Sequence, residues 1–436
     1  MAGMGKNTRK LRSMFKMILF SLIGIFMFFI PITVAEKSSI PLDHLVSMVR
    51  NLLGEGVSYY ALLIIFLGSI FPFISKTWNK DQVSIVFSIF KVIGLIVTFL
   101  IMFNMGPAWL MAPGMGPFLF EKLVIPVSLL VPLGAIFLAL LVGYGLLEFI
   151  GVLMQPIMRP IWKTPGRSAI DAVASFVGSY SIGLLITNRV FREGKYTIKE
   201  AAIIATGFST VSATFMIVVA KTLGLMNMWN TYFWTTFLVT FLVTAITVRI
   251  WPLKMMSNQY VNGAGRPEII VTKNRLKHAW LSALQAADQT PSLLQNVATN
   301  LKDGLMMTMG ILPSIMSIGL LGLILAEYTP VFDWIAYLFY PITFLLQIPD
   351  PMLAAKATSL GIVEMFLPAL LVTNAALMTK FIIGVVSISS IIFFSALIPC
   401  ILSTDIPLSI KQLISIWLIR SVLTLVIVTP IAHLLF

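Results

Sequence analysis

Long apolar runs alternate with short polar loops along most of the chain. A helix needs about 20 apolar residues to cross the hydrocarbon core of a bilayer, where backbone groups must be hydrogen-bonded internally. Nine runs meet this requirement, at 14–34, 57–75, 83–104, 124–145, 199–222, 230–251, 304–326, 379–401 and 412–434. The pattern therefore predicts an all-α, polytopic membrane protein with about nine transmembrane helices.

Two further apolar stretches, 168–188 and 351–374, are interrupted by small and polar residues, and each fits a spanning helix or a re-entrant hairpin. Basic residues flank 168–188 on both sides, and basic loops favour the cytoplasmic face of a membrane. Both ends of this stretch then lie inside, which predicts a cytoplasmic re-entrant hairpin. No Lys or Arg occurs in 327–355, so the second stretch is predicted to be a hairpin entering from outside.

Composition supports a membrane protein, because only 11% of residues are charged, against about a quarter in soluble domains. The net charge of +13 comes mostly from the polar loops, where membrane topology explains it without nucleic acid. These loops predict a bacterial plasma-membrane protein with a cytoplasmic N-terminus and an external C-terminus. The run 14–34 also fits a signal peptide, but it is long enough to span and is expected to stay as a helix.

The sequence contains little that would support redox, metal or enzymatic chemistry. Cys400 is the only cysteine, and His44, His278 and His433 are far apart in sequence, which excludes a disulfide framework and disfavours a metal site. The sequence has no phosphate-binding loop, no HExxH and no grouping of a catalytic Ser with His. We therefore expect no enzyme activity and no cofactor apart from a possible coupling ion, Na⁺ or H⁺.

The second half of the chain repeats the first. Residues 146–157, LLEFIGVLMQPI, match 331–342, VFDWIAYLFYPI, and 176–188 match 362–374 at nearly the same offset. Each repeat reads as a spanning helix, a short amphipathic helix, a hairpin, an interrupted helix and a spanning helix. Because the loop charges place their starts on opposite faces, the repeats are inverted, which is an architecture of secondary transporters.

This organisation divides the chain into four predicted regions: N-terminal scaffold helices (1–123), the first repeat (124–252), a cytoplasmic linker (253–303) and the second repeat (304–436). The centre of the linker, 275–301, is expected to form an amphipathic helix. The scaffold helices are a plausible interface for a homo-oligomer or a membrane partner subunit.

Residues 178–215, GSYSIGLLITNRVFREGKYTIKEAAIIATGFSTVSATF, and 356–371, KATSLGIVEMFLPALL, carry a family resemblance. They resemble the nucleoside-recognition or Gate domain shared by concentrative nucleoside transporters, the ferrous iron transporter B membrane domain and spore maturation proteins. Over the whole chain the sequence looks most like YjiH-type bacterial membrane proteins, with the resemblance covering roughly 124–434. It departs from the nucleoside transporters at the first hairpin, where Ser179, Tyr180 and Ser181 replace their polar and acidic base-binding residues.

Glu364 is the foremost candidate for contact with a substrate, an ion or a proton, because an ionisable group at membrane depth needs a partner or a function. The alternative is a structural pair with Lys356, which is itself a candidate for substrate contact. The other substrate candidates are Gly178, Ser179, Tyr180 and Ser181 at the first hairpin's tip, and Asn188 and Asn374, which end the hairpins and could instead cap helices.

Two clusters of hydroxyl residues are expected to unwind helices near the midplane, where free carbonyls could bind Na⁺, or else to bridge neighbouring helices. They are Thr206, Ser209, Thr210 and Ser212 in the first repeat, and Ser387, Ser389 and Ser390 in the second. Asp171 could bind a cation or pair at the surface with Arg167. For Lys91 and Arg420, inside helices, we expect snorkelling to the membrane surface or an internal ion pair.

The favoured function is secondary transport of a small polar solute, such as a nucleoside-like compound, an amino acid or another metabolite. A midplane site between the two hairpins and alternating access are predicted, with coupling to H⁺ or Na⁺. The alternatives are a non-transporting subunit of a larger membrane complex and a passive channel.

Overall fold

The apolar runs fold into helices, and a computed structural model describes residues 2–30, 32–34, 37–79, 82–177, 180–211, 213–263 and 265–436. Up to residue 223 the elements are α1 (Ala2–Phe29), β1 (Ile32–Val34), β2 (Lys37–Ser39), α2 (Pro41–Leu53), α3 (Gly56–Ile74), α4 (Gln82–Met102), α5 (Gly116–Phe118), a π-helical segment (Leu119–Val124), α6 (Ile125–Gly143), α7 (Leu146–Trp162), α8 (Ser168–Val177), α9 (Tyr180–Arg192), α10 (Ile198–Gly207) and α11 (Ala213–Leu223).

The rest of the chain is also helical. Its elements are α12 (Trp229–Thr247), α13 (Arg275–Gln289), α14 (Leu293–Ser314), a π-helical segment (Ile315–Gly319), α15 (Leu320–Tyr328), α16 (Val331–Leu345), α17 (Pro351–Leu360), α18 (Leu367–Leu371), α19 (Leu377–Ser389), α20 (Leu397–Leu402) and α21 (Ile410–Leu435), with short 3₁₀ turns at Met226–Met228, Leu253–Met255 and Val261–Gly263.

Five helical spans within the described residues are long and apolar enough to cross a membrane. They are Gly56–Ile74, Ser84–Met102, Gly116–Gly143, Leu293–Tyr328 and Ile410–Leu435. Side chains such as Leu63, Phe66, Ile89, Ile93 and Phe99 on α3 and α4 are exposed, as expected for surfaces solvated by lipid rather than by water. The run 230–251 forms α12, an uninterrupted helix of 19 residues, and the runs 199–222 and 379–401 form interrupted helices.

The helix interruptions predicted from the hydroxyl clusters are present. The run 199–222 is divided into α10 and α11 by a first break that includes residues 208–211, and the run 379–401 into α19 and α20 by a second break at residues 390–396. Ile391 adopts φ 63° in the second break. A β-branched residue rarely takes this left-handed conformation, so the backbone is held there by its surroundings.

Three predicted boundaries were wrong. The helix expected at 14–34 ends at Phe29, and the next residues form an antiparallel ribbon in which Ile32 pairs with Ser39. The amphipathic helix expected at 275–301 ends at Gln289, because Pro291 interrupts it. The following span, expected to start at 304, begins instead at Leu293.

Chain contacts divide the protein into two units that differ from the predicted domain boundaries. The first unit contains residues 1–54, 129–209 and 256–308, and the second contains 55–128, 210–255 and 309–436. The predicted scaffold helices are therefore shared between the units, and the hairpins 168–188 and 351–374 belong to different units.

Candidate functional site

The first hairpin (168–188) contains two helices, α8, which ends at Val177, and α9, which begins at Tyr180. Asp171 on α8 is buried, and its carboxylate accepts hydrogen bonds from the Thr187 hydroxyl on α9 (2.7 Å) and from the Tyr196 hydroxyl (2.7 Å). The surface salt bridge with Arg167 considered for Asp171 is therefore wrong. The carboxylate instead ties the two arms of the hairpin to the loop that follows them.

A close backbone approach fixes where this hairpin begins. A methyl group at Gly166 would lie 1.9 Å from the Gly151 carbonyl oxygen and 2.6 Å from the Gln155 nitrogen, both on α7. Only glycine fits this contact, so the chain entering α8 lies directly on the α7 backbone.

Glu268, in the polar linker, binds the chain at the same position, just before α8. Its carboxylate is buried and accepts hydrogen bonds from the Arg159 guanidinium (3.1 Å) and from the backbone N–H groups of Gly166 (3.1 Å) and Arg167 (3.4 Å). Gln155 anchors the neighbouring linker residues, donating to the Ile269 carbonyl and accepting from the Val271 N–H. We call this arrangement the linker clamp.

An ion-pair network follows the first hairpin. The Lys195 ammonium lies 2.9 Å from Glu148 on α7 and 3.1 Å from Glu193, while Arg189 pairs with Glu193 at 2.7 Å. Burial alone would lower the pKa of Lys195, but Glu148 and Glu193 outweigh it and raise that pKa. Burial likewise opposes ionisation of Glu193, yet Lys195 and Arg189 hold its pKa below the usual value. Both groups therefore stay charged throughout the neutral pH range.

A polar cavity of about 570 Å³ lies beside this network in the first unit. Its ionisable lining residues are Arg167, Arg189, Lys195, Arg266, His278, Glu148, Glu193 and Glu268. Because the basic and acidic side chains nearly balance and most are already paired, the cavity has no strong preference for a ligand of one charge.

The predicted contacts at the first hairpin have different surroundings. Gly178 and Ser179 lie outside the described residues, while Tyr180 begins α9 half-buried and Ser181 is fully buried one residue later. Asn188 was expected to end the hairpin and instead lies within α9, which continues to Arg192. A helix-capping role for Asn188 is therefore wrong.

The first break leaves two buried hydroxyl groups unsatisfied. Ser209 and Thr210 are each 2% exposed, and neither hydroxyl has a hydrogen-bond partner within the described part of the chain. Thr206 differs, because its hydroxyl donates to the Ala202 carbonyl within α10 (2.7 Å). Ser212, the fourth member of this cluster, lies outside the described residues.

The second hairpin (351–374) turns at Glu364, between α17 and α18. Glu364 is 3% exposed, and its Oε2 atom accepts hydrogen bonds from the backbone N–H groups of Phe366 and Leu367 (3.2 Å to Leu367). The carboxylate therefore stabilises the start of α18. Since both bonds end on one oxygen, the group keeps acceptor capacity on Oε1.

The backbone of the hairpin turn is joined to the second break. The N–H groups of Phe394 and Ser395 donate to the carbonyls of Ile362 (2.7 Å) and Val363 (2.9 Å). These two bonds satisfy backbone groups of both irregular segments, as buried non-helical backbone requires. The carboxyl group of Glu364 is thereby positioned by the residues immediately before it.

Lys356 does not pair with Glu364, so that alternative was wrong. Its ammonium group forms a salt bridge with Asp333 on α16, and the two side chains are 38% and 51% exposed. Asp333 and Glu148 occupy equivalent repeat positions, and each binds a lysine in or just after a hairpin. Asn374 is exposed in the turn that precedes α19.

Because the Lys356–Asp333 pair is exposed, we expect it to contribute little stability. A double-mutant cycle with Lys356→Met and Asp333→Asn should give a coupling free energy of at most about 1 kcal/mol. The free energy of unfolding of the four proteins in detergent measures it, and a coupling of several kcal/mol would show that the pair is desolvated.

At the second break, Arg420 of α21 binds the last carbonyl of α19. Its Nε and Nη2 atoms donate to the Ser389 carbonyl oxygen (3.0 and 2.8 Å), and its Nη1 atom donates to the Thr244 hydroxyl (2.9 Å). Arg420 is fully buried, so the expected snorkelling is wrong, and within the described residues it has no ion pair.

The hydroxyl groups predicted as Na⁺ contacts in the second repeat are also bonded. The Ser389 hydroxyl accepts from Thr424 (2.9 Å), Ser387 donates to the Gly384 carbonyl (3.2 Å), and Ser390 donates to the Ser387 carbonyl (3.3 Å). The hydroxyl of Ser395, within the second break, is buried and has no hydrogen-bond partner among the described residues, so each break contains an unsatisfied hydroxyl group.

These features define a helical membrane protein in which each of two hairpins precedes an interrupted helix. The chain belongs to the Gate, or nucleoside recognition, family, whose model matches residues 11–226. The predicted resemblance to this family is confirmed, but the matched residues do not extend to the predicted end at 434. The match starts well before 124, so it includes the N-terminal helices together with the first hairpin.

Two relatives and two solved structures are also similar to this chain. An uncharacterized protein of Alkalihalophilus pseudofirmus is 30% identical over 437 residues, covering 97% of this chain and 94% of that protein. The sporulation integral membrane protein YlbJ of Bacillus subtilis is 34% identical over 62 residues, 14% of this chain and 15% of its own. Two outward-facing variants of CNTnw, a concentrative nucleoside transporter, have a TM-score of 0.50 and 13% identity over 96% of this chain and 99% of theirs. At that identity the likeness establishes the fold.

Proposed function

We propose that this protein is a secondary transporter that moves a small polar solute across the bacterial plasma membrane by alternating access. The observation that carries the proposal is the buried carboxyl group of Glu364, placed at a hairpin turn that is bonded to an interrupted helix. Irregular backbone at membrane depth is a feature of transporter binding sites, and the overall fold is one that a nucleoside transporter adopts.

In this proposal Glu364 contacts the solute or carries a proton, because its Oε1 atom retains acceptor capacity. In the first unit, the proposed polar contacts remain those around the first hairpin tip, Gly178, Ser179, Tyr180 and Ser181. Asn188, Asn374 and Lys356 remain weaker candidates, since Lys356 already binds Asp333.

The coupling ion is proposed to be Na⁺ or H⁺, for two separate reasons. The unsatisfied hydroxyl groups of Ser209 and Thr210 are oxygen ligands of the type that Na⁺ binds. Alternatively, Glu364 is a titratable group in an apolar environment, as proton relays use. The proposed orientation keeps the N-terminus in the cytoplasm and the C-terminus outside.

Glu364→Gln tests the proposed site. Glutamine keeps a side-chain oxygen that can accept from Phe366 and Leu367, so the fold should survive while the charge is lost. We expect saturable uptake into liposomes to fall by about tenfold or more, because a hydrogen bond to a charged group contributes about 1.5–3 kcal/mol.

The matched control is Glu327→Gln, at an exposed glutamate of the same unit, which should transport like the wild type. Unchanged uptake by Glu364→Gln, at normal melting temperature, would remove Glu364 from the site. Non-saturable flux through the wild type would instead indicate a channel.

A second candidate function, a non-transporting subunit of a larger complex, is favoured by the 62-residue match to a sporulation membrane protein. Such a subunit would show no flux in liposomes when purified alone and would co-purify with a stoichiometric partner.

The solute class can be found by thermal-shift screening of the detergent-solubilised protein. Nucleosides, amino acids, short peptides and carboxylates form the panel, since a ligand of the folded state raises its melting temperature by mass action. A class whose shift is absent in Glu364→Gln would identify the solute that contacts this carboxyl group.

A further inference from the structure

Arg420 is a fully buried charged side chain in the middle of α21, where a guanidinium is costly unless polar groups replace its hydration. Its described hydrogen bonds all go to neutral oxygens, the Ser389 carbonyl and the Thr244 hydroxyl. Thr244 in turn donates to the Thr240 carbonyl (2.8 Å), so its hydroxyl is oriented to accept from the arginine. Three helices, α12, α19 and α21, thus contribute to one cation-binding arrangement.

The acceptor is an unusual one for an arginine, since it is the carbonyl of the last residue of α19. The last four carbonyls of a helix lack intrahelical donors, and the helix dipole makes that end negative. Because the chain leaves the helical path at 390–396, no following N–H group reaches the Ser389 carbonyl. A broken helix of this kind attracts a cation to its C-terminal carbonyls.

The helix of the first repeat that corresponds to α21 has no equivalent of Arg420. The last helix of the first repeat, α12, contains no Lys or Arg between Trp229 and Thr247, and its buried face carries Thr236, Thr240 and Thr244 instead. At the first break the hydroxyls of Ser209 and Thr210 have no partner within the described residues. The second break also contains an unsatisfied hydroxyl, that of Ser395, but there Arg420 binds the carbonyl at the helix end.

We propose that the guanidinium of Arg420 occupies the cation-binding position of the second break, where it binds the Ser389 carbonyl oxygen that a coupling metal ion would otherwise bind. The Na⁺ contacts predicted for Ser387, Ser389 and Ser390 are then replaced by the guanidinium. This consequence for coupling rests on the proposed transport function, whereas occupancy of the break by Arg420 does not.

Chemical rescue tests the proposal without any transport assay. Arg420→Ala leaves a cavity at the Ser389 carbonyl and should lower the melting temperature of the detergent-solubilised protein by about 5 °C or more. Millimolar ethylguanidinium chloride should restore much of that loss, and the same concentration of choline chloride should not. The wild type and Arg249→Ala, which removes an exposed arginine of the same unit, should not respond to either salt.

Arg420→Lys and Arg420→Met extend the test if the alanine variant does not fold. The lysine variant keeps the charge, and its melting temperature should lie between that of the wild type and that of the methionine variant, which keeps only the bulk of the side chain. A methionine variant as stable as the wild type, or an alanine variant that ethylguanidinium does not stabilise, would overturn the proposal. So would a sodium-dependent rise in melting temperature that Ser390→Ala abolishes and Ser209→Ala leaves unchanged.

Discussion

Replacing Glu268 with alanine should lower the free energy of unfolding by about 3–5 kcal/mol, a large fraction of the stability of most proteins. The Glu268 carboxylate is buried against Arg159 and Arg167 and accepts from two backbone N–H groups at the entry to α8. Removing it leaves the Arg167 side chain, which is 7% exposed, without its counter-charge. Unfolding of the detergent-solubilised protein by denaturant measures the loss.

One further variant separates the loss of the Glu268 charge from the loss of its hydrogen bonds, and a second variant is the control. Glu268→Gln retains an acceptor oxygen for Gly166 and Arg167 and should cost less than the alanine variant. Glu55→Ala, at an exposed glutamate with no ion pair among the described residues, should change stability by about 0.5 kcal/mol or less. Equal effects of Glu268→Ala and Glu55→Ala would show that the linker clamp does not hold the first hairpin.

Gly166→Ala should destabilise the protein by about 3 kcal/mol, because the added methyl group meets backbone rather than a movable side chain. At 1.9 Å from the Gly151 carbonyl oxygen, the contact is relieved only if α7 and the start of α8 move apart. Gly114→Ala is the matched control, since a methyl group there meets nothing within 4 Å. The same unfolding measurement applies to both.

The effects of Gly166→Ala and Glu268→Ala on the free energy of unfolding should also be coupled. When Gly166→Ala separates α7 from α8, it displaces the Gly166 N–H group that donates a hydrogen bond to Glu268. The double variant should therefore lose less stability than the sum of the losses in the two single variants. Strict additivity, or a Gly166→Ala protein as stable as Gly114→Ala, would contradict this description of the hairpin start.

Much of the helix pattern was predictable because bilayer thickness sets the length of an apolar run and hydroxyl clusters weaken a helix. Both breaks were located in this way from Ser209, Thr210, Ser389 and Ser390. The helix α2 was missed, since its 13 residues are too few to span. The helix boundary at Pro291 was missed because the amphipathic pattern continues on either side of the proline.

The partners of buried charges were the least predictable part of the site. Thr244, Ser389 and Arg420 come from separate helices, and no local spacing indicates that they meet. Lys356 lies eight positions before Glu364, a distance that suggested a pair across the hairpin, yet Asp333 on α16 is its partner. A mid-helix arginine signals that a partner exists, but only the tertiary structure identifies it.

The two backbone bonds from Phe394 and Ser395 to the second hairpin have a mechanical consequence. They join two segments that are more than 30 positions apart in sequence. If the turn at Ile362 and Val363 tilts, the non-helical segment that follows Ile391 therefore moves with it. A solute that shifts Glu364 would thereby also displace the segment that leads into α20, so that the hairpin turn and this segment would move together.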